Sequence, residues 1–480
     1  LEAGSVQVRT TVRPAGSDEV LAEQVADHPL AAGANRVEWS ISVADPERWW
    51  PWSLGGQPLH DVTIEVAPEG GEVSHLVTRR LGFRTVELRN WIAVINGERL
   101  FLKGSNQGPT RQALAEATPD ELRRDVALAR DTGLDLLRLH AHITRPELYD
   151  AADEAGLLLW QDLPLQWGYA RGVRKQAIRQ ARKAVELLGH HPSVAIWCGH
   201  NEPMAIDIDA EQLGDPAAVR KLAVKALAAQ ELPTWNRTVL DRSIKRALRK
   251  ADPSRPVIPN SGMFPHLPQL DGTDTHAYFG WYFGDERDFP TFLRRLPRLA
   301  RFVTEFGAQA VPEDASFCEP ERWPELDWPR LARTHNLQKS QFDRYVPPAD
   351  FATFDEWRDA TQRYQAEVVK HHVEALRKLK YRPTGGFAQF CFADGHPAVT
   401  WSVLGHDRAP KAGHVALVEA CRPVIVVCDR PPAELLPGSR LALDVHVVSD
   451  LHHDLAGARV GATVRWTGGE RSWAWQGDVA

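Results

Sequence analysis

The chain has 480 residues, enough for about three domains at roughly 150 residues each and for a sizeable core without disulfide staples. With 43% hydrophobic and 25% charged residues, 34 Gly and 34 Pro, its composition excludes collagen-like and wholly disordered chains. Its 57 basic and 63 acidic residues give a net charge of −6 with the basic residues spread along the chain, which excludes nucleic acid as a partner; no run of 18 apolar residues exists, which excludes an apolar membrane span. LEAGSVQVRT at the start has no signal-type apolar core, yet the chain opens without Met inside a strand pattern, so an upstream segment is expected. The cysteines are Cys198, Cys318, Cys391, Cys421 and Cys428, an odd number with no CxxC and no zinc spacing. Buried thiols in a reducing compartment are expected, favouring a cytoplasmic location, with secretion left open by the upstream segment.

From 1 to 88 the texture is β throughout. VQVRTTV, NRVEWSISV, HDVTIEV and SHLVTRRLGFRTVELR alternate apolar and polar residues between Gly, Pro, Asp and Asn turns, predicting a small antiparallel sandwich of immunoglobulin type. After Asn90 apolar strand-like runs alternate with helices. The runs are RLFLKGSN at 99–106, LDLLRLHA at 134–141, GLLLWQDLPL at 156–165, SVAIWCGHNEP at 193–203, PVIPNSG at 256–262, DTHAYFGW at 274–281, RFVTEFGAQ at 301–309 and GGFAQFCFADG at 385–395. Eight such runs predict a (β/α)8 TIM barrel over 89–412.

The intervening helices carry their own punctuation. Thr118-Pro119-Asp120-Glu121 is a capping box opening a helix that Gly133 stops; Pro146 opens the next, which Gly156 closes; a third is expected at about 173–188. The connection at 310–384 is unusually long, holds Trp323, Trp328 and Trp357, and is expected to contain a long helix near 353–379 and to have room for a lid. From 413 to 480 the β texture returns in RPVIVVCDR, SRLALDVHVVSD and ARVGATVRWTG, read as the start of a second sandwich. The expected fold is therefore multidomain, a (β/α)8 barrel flanked by antiparallel immunoglobulin-like β-sandwich domains.

In a parallel barrel the C-terminal strand ends converge on one face, so polar residues that end an apolar run are the first candidates for chemistry. Glu202 ends the fourth run after Asn201, and Glu305 ends the seventh after Thr304. Placed on strands four and seven they are expected to face each other across the mouth. Two carboxyls about 5–5.5 Å apart are what a retaining glycosidase requires, one as acid/base and one as nucleophile. That chemistry requires no metal and no cofactor.

These residues bring the chain close to a known family. WWPW at 49–52, LGFRTVEL at 81–88, FLKGSN at 101–106, RLHAH at 138–142, GLLLWQDLPL, HPSVAIWCGHNEP at 191–203, DTHAYFGW, VTEFGAQ at 303–309 and a degenerate motif from Gln389 to Lys411 resemble glycoside hydrolase family two, in its β-mannosidase-like branch. The resemblance implies that Glu202 is the acid/base, Glu305 the nucleophile and Asn201 the partner of the sugar 2-hydroxyl, and that Tyr278 bonds the nucleophile. Arg138 is read as a cation beside Glu305 or as a structural ion pair at the rim. His140, His142, His276, Asn106, Gln107 and Asp162 fall at strand ends suited to sugar hydroxyls, and Trp160, Trp167, Trp281 and Trp401 are read as stacking faces for a pyranose.

Three segments depart from the mannosidase pattern. Asn106-Gln107-Gly108-Pro109-Thr110 replaces an Asn-Trp-Ile-Pro-type segment, His140-Ala141-His142 replaces a Trp-Gly-Gly type, and His396 stands where a Trp usually precedes Pro397. They leave the cleavage chemistry intact and the −1 sugar open. The expected partner is a carbohydrate β-glycoside, processed by a β-mannosidase-like enzyme. The rivals are a β-glucuronidase, β-galactosidase or exo-β-glucosaminidase on the same machinery, and a carbohydrate-binding barrel without catalysis. The jelly-roll domain that usually precedes the first sandwich is not among these residues.

Overall fold

The computed structural model describes residues 3–203, 234–262, 274–436 and 438–479. The chain divides into two compact units, Leu1–Thr275 and His276–Ala480.

The first unit opens with an antiparallel sheet of β1 (Gly4–Pro14), β2 (Ala22–Leu30), β3 (His60–Pro68) and β4 (His75–Leu81) in the order β2-β1-β3-β4. Val8, Thr10 and Val12 alternate onto one buried face and pair with Val66, Ile64 and Val62. Two expectations change here. NRVEWSISV forms no strand, because both edges of β1 are already taken; Trp39 from this segment instead donates to Thr10 Oγ1 at 2.9 Å. Ala22–Leu30, which the alternation did not single out, supplies the missing edge strand, and its Pro29 suits an edge. A meander of β5 (Val86–Arg89), β6 (Ile92–Ile95) and β7 (Glu98–Leu100) follows, so antiparallel pairing continues beyond 88 to Leu100.

Parallel pairing then takes over with β8 (Leu102–Gln107), β9 (Leu136–Leu139), β10 (Leu158–Asp162), β11 (Val194–Cys198) and β12 (Val257–Ile258), neighbours in that order. Apart from half-buried Val257 their residues are buried, as expected of parallel strands covered on both faces. The register sets Asn106 beside Arg138 and Arg138 beside Trp160, so these side chains lie in one row and Asp162, two residues on, keeps the same face. Between the strands, helix α1 (Pro119–Asp131) starts at the expected capping box, Thr118 accepting from the Glu121 N–H and Glu121 reaching back to Thr118. Helix α2 (Pro146–Ala155) starts on its proline and ends on left-handed Gly156, and α3 is Arg174–Leu188. The WWPW segment ties the N-terminal part to these elements: Trp49 Nε1 donates to the Asp153 carbonyl and Trp52 Nε1 to the Leu134 carbonyl, both at 2.8 Å.

β13 (Thr275–His276) begins the remaining parallel strands; β14 (Phe302–Glu305) and β15 (Gly386–Gln389) pair through Phe302 with Gly386 and Val303 with Phe387. Five strands and then three give the eight of a (β/α)8 barrel, with antiparallel sheets before and after, which is the expected fold class. The long connection is a packed aromatic layer. Trp323, Trp328, Phe354 and Trp357 sit with ring centroids 5.2–6.4 Å apart around helices Trp328–His335 and Phe354–Lys378, the latter opened by a Thr353/Glu356 capping box. After helix Ala412–Ala420 come two antiparallel pairs, β16 (Val424–Cys428) with β17 (Val445–Ser449) and β18 (Leu455–Trp466) with β19 (Gly469–Val479). Buried Arg377 fastens the long helix to the first pair, donating to the carbonyls of Ala420 and Arg422 and to Asp450. All five cysteines are free thiols, and Cys428 is exposed rather than buried. Among the described residues no helix is long and apolar enough to cross a membrane.

Candidate active site

In the first unit the strand ends converge on Arg138. Its guanidinium donates from Nε to Asp162 at 3.0 Å, from Nη1 to Asn106 Oδ1 at 3.2 Å and from Nη2 to Asn201 Oδ1 at 2.6 Å, and Nη2 is also 2.8 Å from Asp162. Arg138, Asp162 and Asn106 are fully buried, so each is paid for by another: planar guanidinium donors meet fixed oxygens from three neighbouring strands. Burial pushes the Asp162 carboxyl up, but the Arg138 charge and His140, whose Nδ1 is 3.5 Å away, outweigh it and hold it below the usual carboxylate range. Because Asn201 accepts from Arg138 through Oδ1, its Nδ2 is the amide end turned to other partners.

Glu202 follows directly. Its backbone has φ +43°, in the left-handed region a side-chain-bearing residue rarely adopts, and it precedes Pro203, which further narrows its choices. Backbone bonds on both sides hold it there: Glu202 N–H donates to the Ser261 carbonyl at 3.1 Å, Ser261 N–H to the His200 carbonyl at 2.9 Å, and Asn201 N–H to the Leu165 carbonyl at 2.8 Å. Such outliers persist only where the surroundings over-determine them.

Other candidates in this unit separate by burial. Trp160 is 0% exposed and gives its indole N–H to Asp162 Oδ1 at 2.9 Å, which corrects its reading as a stacking face: it is core that orients a carboxylate. Gln107, the last residue of β8, and Thr110 both donate to Asp125 on α1, so the Gln107 amide nitrogen is turned to that helix. His142 is buried with Nδ1 3.2 Å from the His140 carbonyl; burial pulls its pKa down to about 4 and leaves it neutral at ordinary pH. Trp167, by contrast, is 57% exposed, and its backbone N–H donates to the Asn201 carbonyl at 3.0 Å, so a residue with an open indole is bonded to the Asn201 backbone.

In the second unit Glu305 ends β14, nearly buried. Tyr278 donates its hydroxyl to Glu305 Oε2 at 2.8 Å, His276 Nδ1 is 3.3 Å from the same oxygen, and the Ala277 N–H bonds the Glu305 carbonyl at 2.8 Å. The Tyr278 hydroxyl thus anchors one carboxylate oxygen, with the His276 ring beside it. Gly307 has φ +147°, and a Cβ there would lie 2.6 Å from the Phe390 carbonyl oxygen, so the close turn after Glu305 needs glycine. Trp401 is half-buried against Tyr278, Tyr282 and Phe390. Trp281 is fully buried and bonded to Gln338, which removes it as a stacking face.

Among the described residues, two carboxylate/His groups within ligand reach lie elsewhere. Asp150, Asp153 and His191 are knit by the protein itself, Asp153 binding His191 Nδ1 at 2.6 Å and the Ser193 N–H at 2.9 Å; Asp429, Asp444 and His446 already hold a cation in Lys378, which pairs with Asp429. Sequence reasoning missed Ser261, whose carbonyl takes the Glu202 N–H, and His200, Asp241 and Asn260, which are bonded to one another behind it. His200 alone had a signal, its position immediately before Asn201.

Comparison with known proteins gives a consistent picture. Residues 2–84 match the family described as glycosyl hydrolases family 2. Curated relatives include β-mannosidase A of Emericella nidulans, 24% identical over 92% of this chain and 51% of its own length, and β-mannosidase B of the same organism, 24% identical over 84% and 50%. The chain thus spans about half the length of the curated relatives it matches. Among solved structures, β-D-mannosidase from Dictyoglomus thermophilum is similar with a TM-score of 0.77 and 21% identity, over 100% of this chain and 58% of that one. Bacteroides uniformis β-glucuronidase 2 follows at 0.62 and 16%, over 99% and 57%. These likenesses show the fold, a (β/α)8 barrel with flanking antiparallel sheets.

Proposed function

We propose that this chain, similar to glycosyl hydrolases family 2 over residues 2–84 and to curated β-mannosidases over most of its length, hydrolyses terminal β-glycosidic bonds with retention of configuration. The observation that carries the reading is the pair of strand-end glutamates: Glu202 after Asn201 beyond β11, and Glu305 at the end of β14 with Tyr278 and His276 on Oε2. In the first step the Glu305 carboxylate attacks the anomeric carbon while Glu202 gives its proton to the departing oxygen, forming a covalent glycosyl-enzyme. In the second step Glu202, now a base, takes a proton from water as that water displaces Glu305 at the same carbon. Inversion twice gives retention, which calls for carboxyl groups about 5–5.5 Å apart. Asn201, its Oδ1 held by Arg138, offers Nδ2 to the 2-hydroxyl. Trp167 and Trp401 are the indoles suited to the apolar face of the sugar.

A β-mannoside is the favoured substrate class. One observation favours a different −1 sugar: the segment from the end of β8, where mannosidases carry an Asn-Trp-Ile-Pro-type segment, is tied back to α1 through Gln107, Thr110 and Asp125. Nitrophenyl β-glycosides of mannose, glucuronic acid, galactose and glucosamine, with proton NMR of the first-formed sugar, test both readings. The expected result is turnover of one of them with the β-anomer appearing first. The α-anomer first, or sugar-induced stabilisation without turnover of any substrate, would overturn the proposal.

A further inference from the structure

The acid/base half of the site is braced from behind by a carboxylate that touches none of the reacting groups. Asp241, fully buried at the start of helix Asp241–Ala251, uses its two oxygens on two different strand ends. Oδ1 is 2.8 Å from His200 Nδ1, and Oδ2 accepts from Asn260 Nδ2 at 2.8 Å. His200 is itself fully buried, with its ring 5.6 Å from that of Tyr169.

The residues Asp241 grips are the immediate neighbours of those that hold Glu202. His200 precedes Asn201-Glu202, and Asn260 precedes Ser261; Ser261 gives its N–H to the His200 carbonyl and takes the N–H of Glu202. One carboxylate therefore fixes the spacing between the two backbone segments whose reciprocal bonds keep Glu202 at φ +43°. A left-handed residue before proline relaxes once its supports loosen. Relaxation by an ångström would move the Glu202 carboxyl away from the departing oxygen without altering Glu305.

We propose that Asp241, acting through His200 and Asn260, is the positioning residue for the acid/base Glu202. The inference rests on the retaining-glycosidase reading and concerns proton delivery alone. It sets apart the substrates that need a proton from those that do not. Departure of a dinitrophenolate needs almost no protonation, whereas departure of a sugar or alkyl alcohol needs the acid fully in place.

The test is Asp241→Asn in the whole chain, with Asn260→Ala as a milder second variant that removes one arm. Each is assayed on a dinitrophenyl β-glycoside and on an alkyl β-glycoside of the sugar the wild type prefers. Rates are normalised to active sites counted with a fluorosugar that traps the glycosyl-enzyme, so a misfolded fraction does not enter. For Asp241→Asn the expected loss of kcat/KM is on the order of 100-fold on the alkyl glycoside and less than about 5-fold on the dinitrophenyl glycoside; Asn260→Ala should show the same split with a loss of about 10-fold on the alkyl substrate. Equal losses on both substrates, or no loss on either, with an active wild type would overturn the inference and leave the function standing. If Asp241→Asn yields no folded protein, the split in Asn260→Ala decides it. A wild type that turns over neither substrate removes the functional reading and this inference together.

Discussion

Arg138 and Asp162 form a fully buried ion pair whose remaining valences are filled by Asn106, Asn201 and Trp160. Such a pair adds little beyond an apolar substitute, but removing one partner strands the other charge without water. Arg138→Met is expected to lower stability by about 3–5 kcal/mol in urea unfolding, and adding Asp162→Leu to recover much of that while activity stays lost. Recovery of activity in the double variant would show that Arg138 does not hold Asn201. At this scale the sequence was legible in where Asn201-Glu202 and Thr304-Glu305 fall, just beyond β11 and at the end of β14. Asp241 was not legible, because a charged residue in an amphipathic helix looks the same whether it faces water or a strand. Nor could sequence alone separate Trp160, fully covered, from Trp167, largely open.

At the scale of elements, all eight parallel strands were legible, since a strand buried on both faces reads as a nearly continuous apolar run. Helix α1 was legible from its capping box and α2 from Pro146 and Gly156. The N-terminal sheet was only half legible: alternation says that one face is buried and says nothing of whether a neighbouring edge is vacant. NRVEWSISV alternates but finds β1 already paired on both sides, while AEQVADHPL, poor in β-branched residues, takes the edge. Gly156 carries a contact that a helix stop alone does not require: at φ +72° its added Cβ would lie 2.6 Å from Trp52 N, whose N–H already bonds the Gly156 carbonyl. Gly156→Ala should therefore cost more than the roughly 1 kcal/mol of an exposed left-handed cap, seen as a lower urea midpoint. A loss no larger than that would mean that the WWPW segment yields easily.

For the molecule as a whole, pH acts on stability through buried histidines. His142 is pulled down to about 4 and His372 to about 3, each chiefly by burial, with His372 stacked between Phe289 and Phe306. In the unfolded chain both take up protons below about 6.5, whereas the folded chain refuses them until pH reaches those lowered values. The stability present above pH 6.5 is thus lost as pH falls through the window from about 6.5 to about 3, at up to about 1.4 kcal/mol per pH unit for each group. Urea unfolding at pH 7 and pH 5 should show the drop, and His372→Gln should make it shallower; equal midpoints at the two values would mean that these rings are solvated when folded.

The proposed mechanism makes Glu305 the nucleophile of a retaining glycosidase and Glu202 its acid/base. Its most direct test is to trap the intermediate on the wild-type chain with an activated 2-fluoro β-glycoside and to map the labelled peptide by mass spectrometry. A single fluoroglycosyl group on Glu305 is expected, with activity returning as the adduct turns over. A label on Glu202, or full turnover of the parent glycoside with no label on any carboxylate, would contradict it.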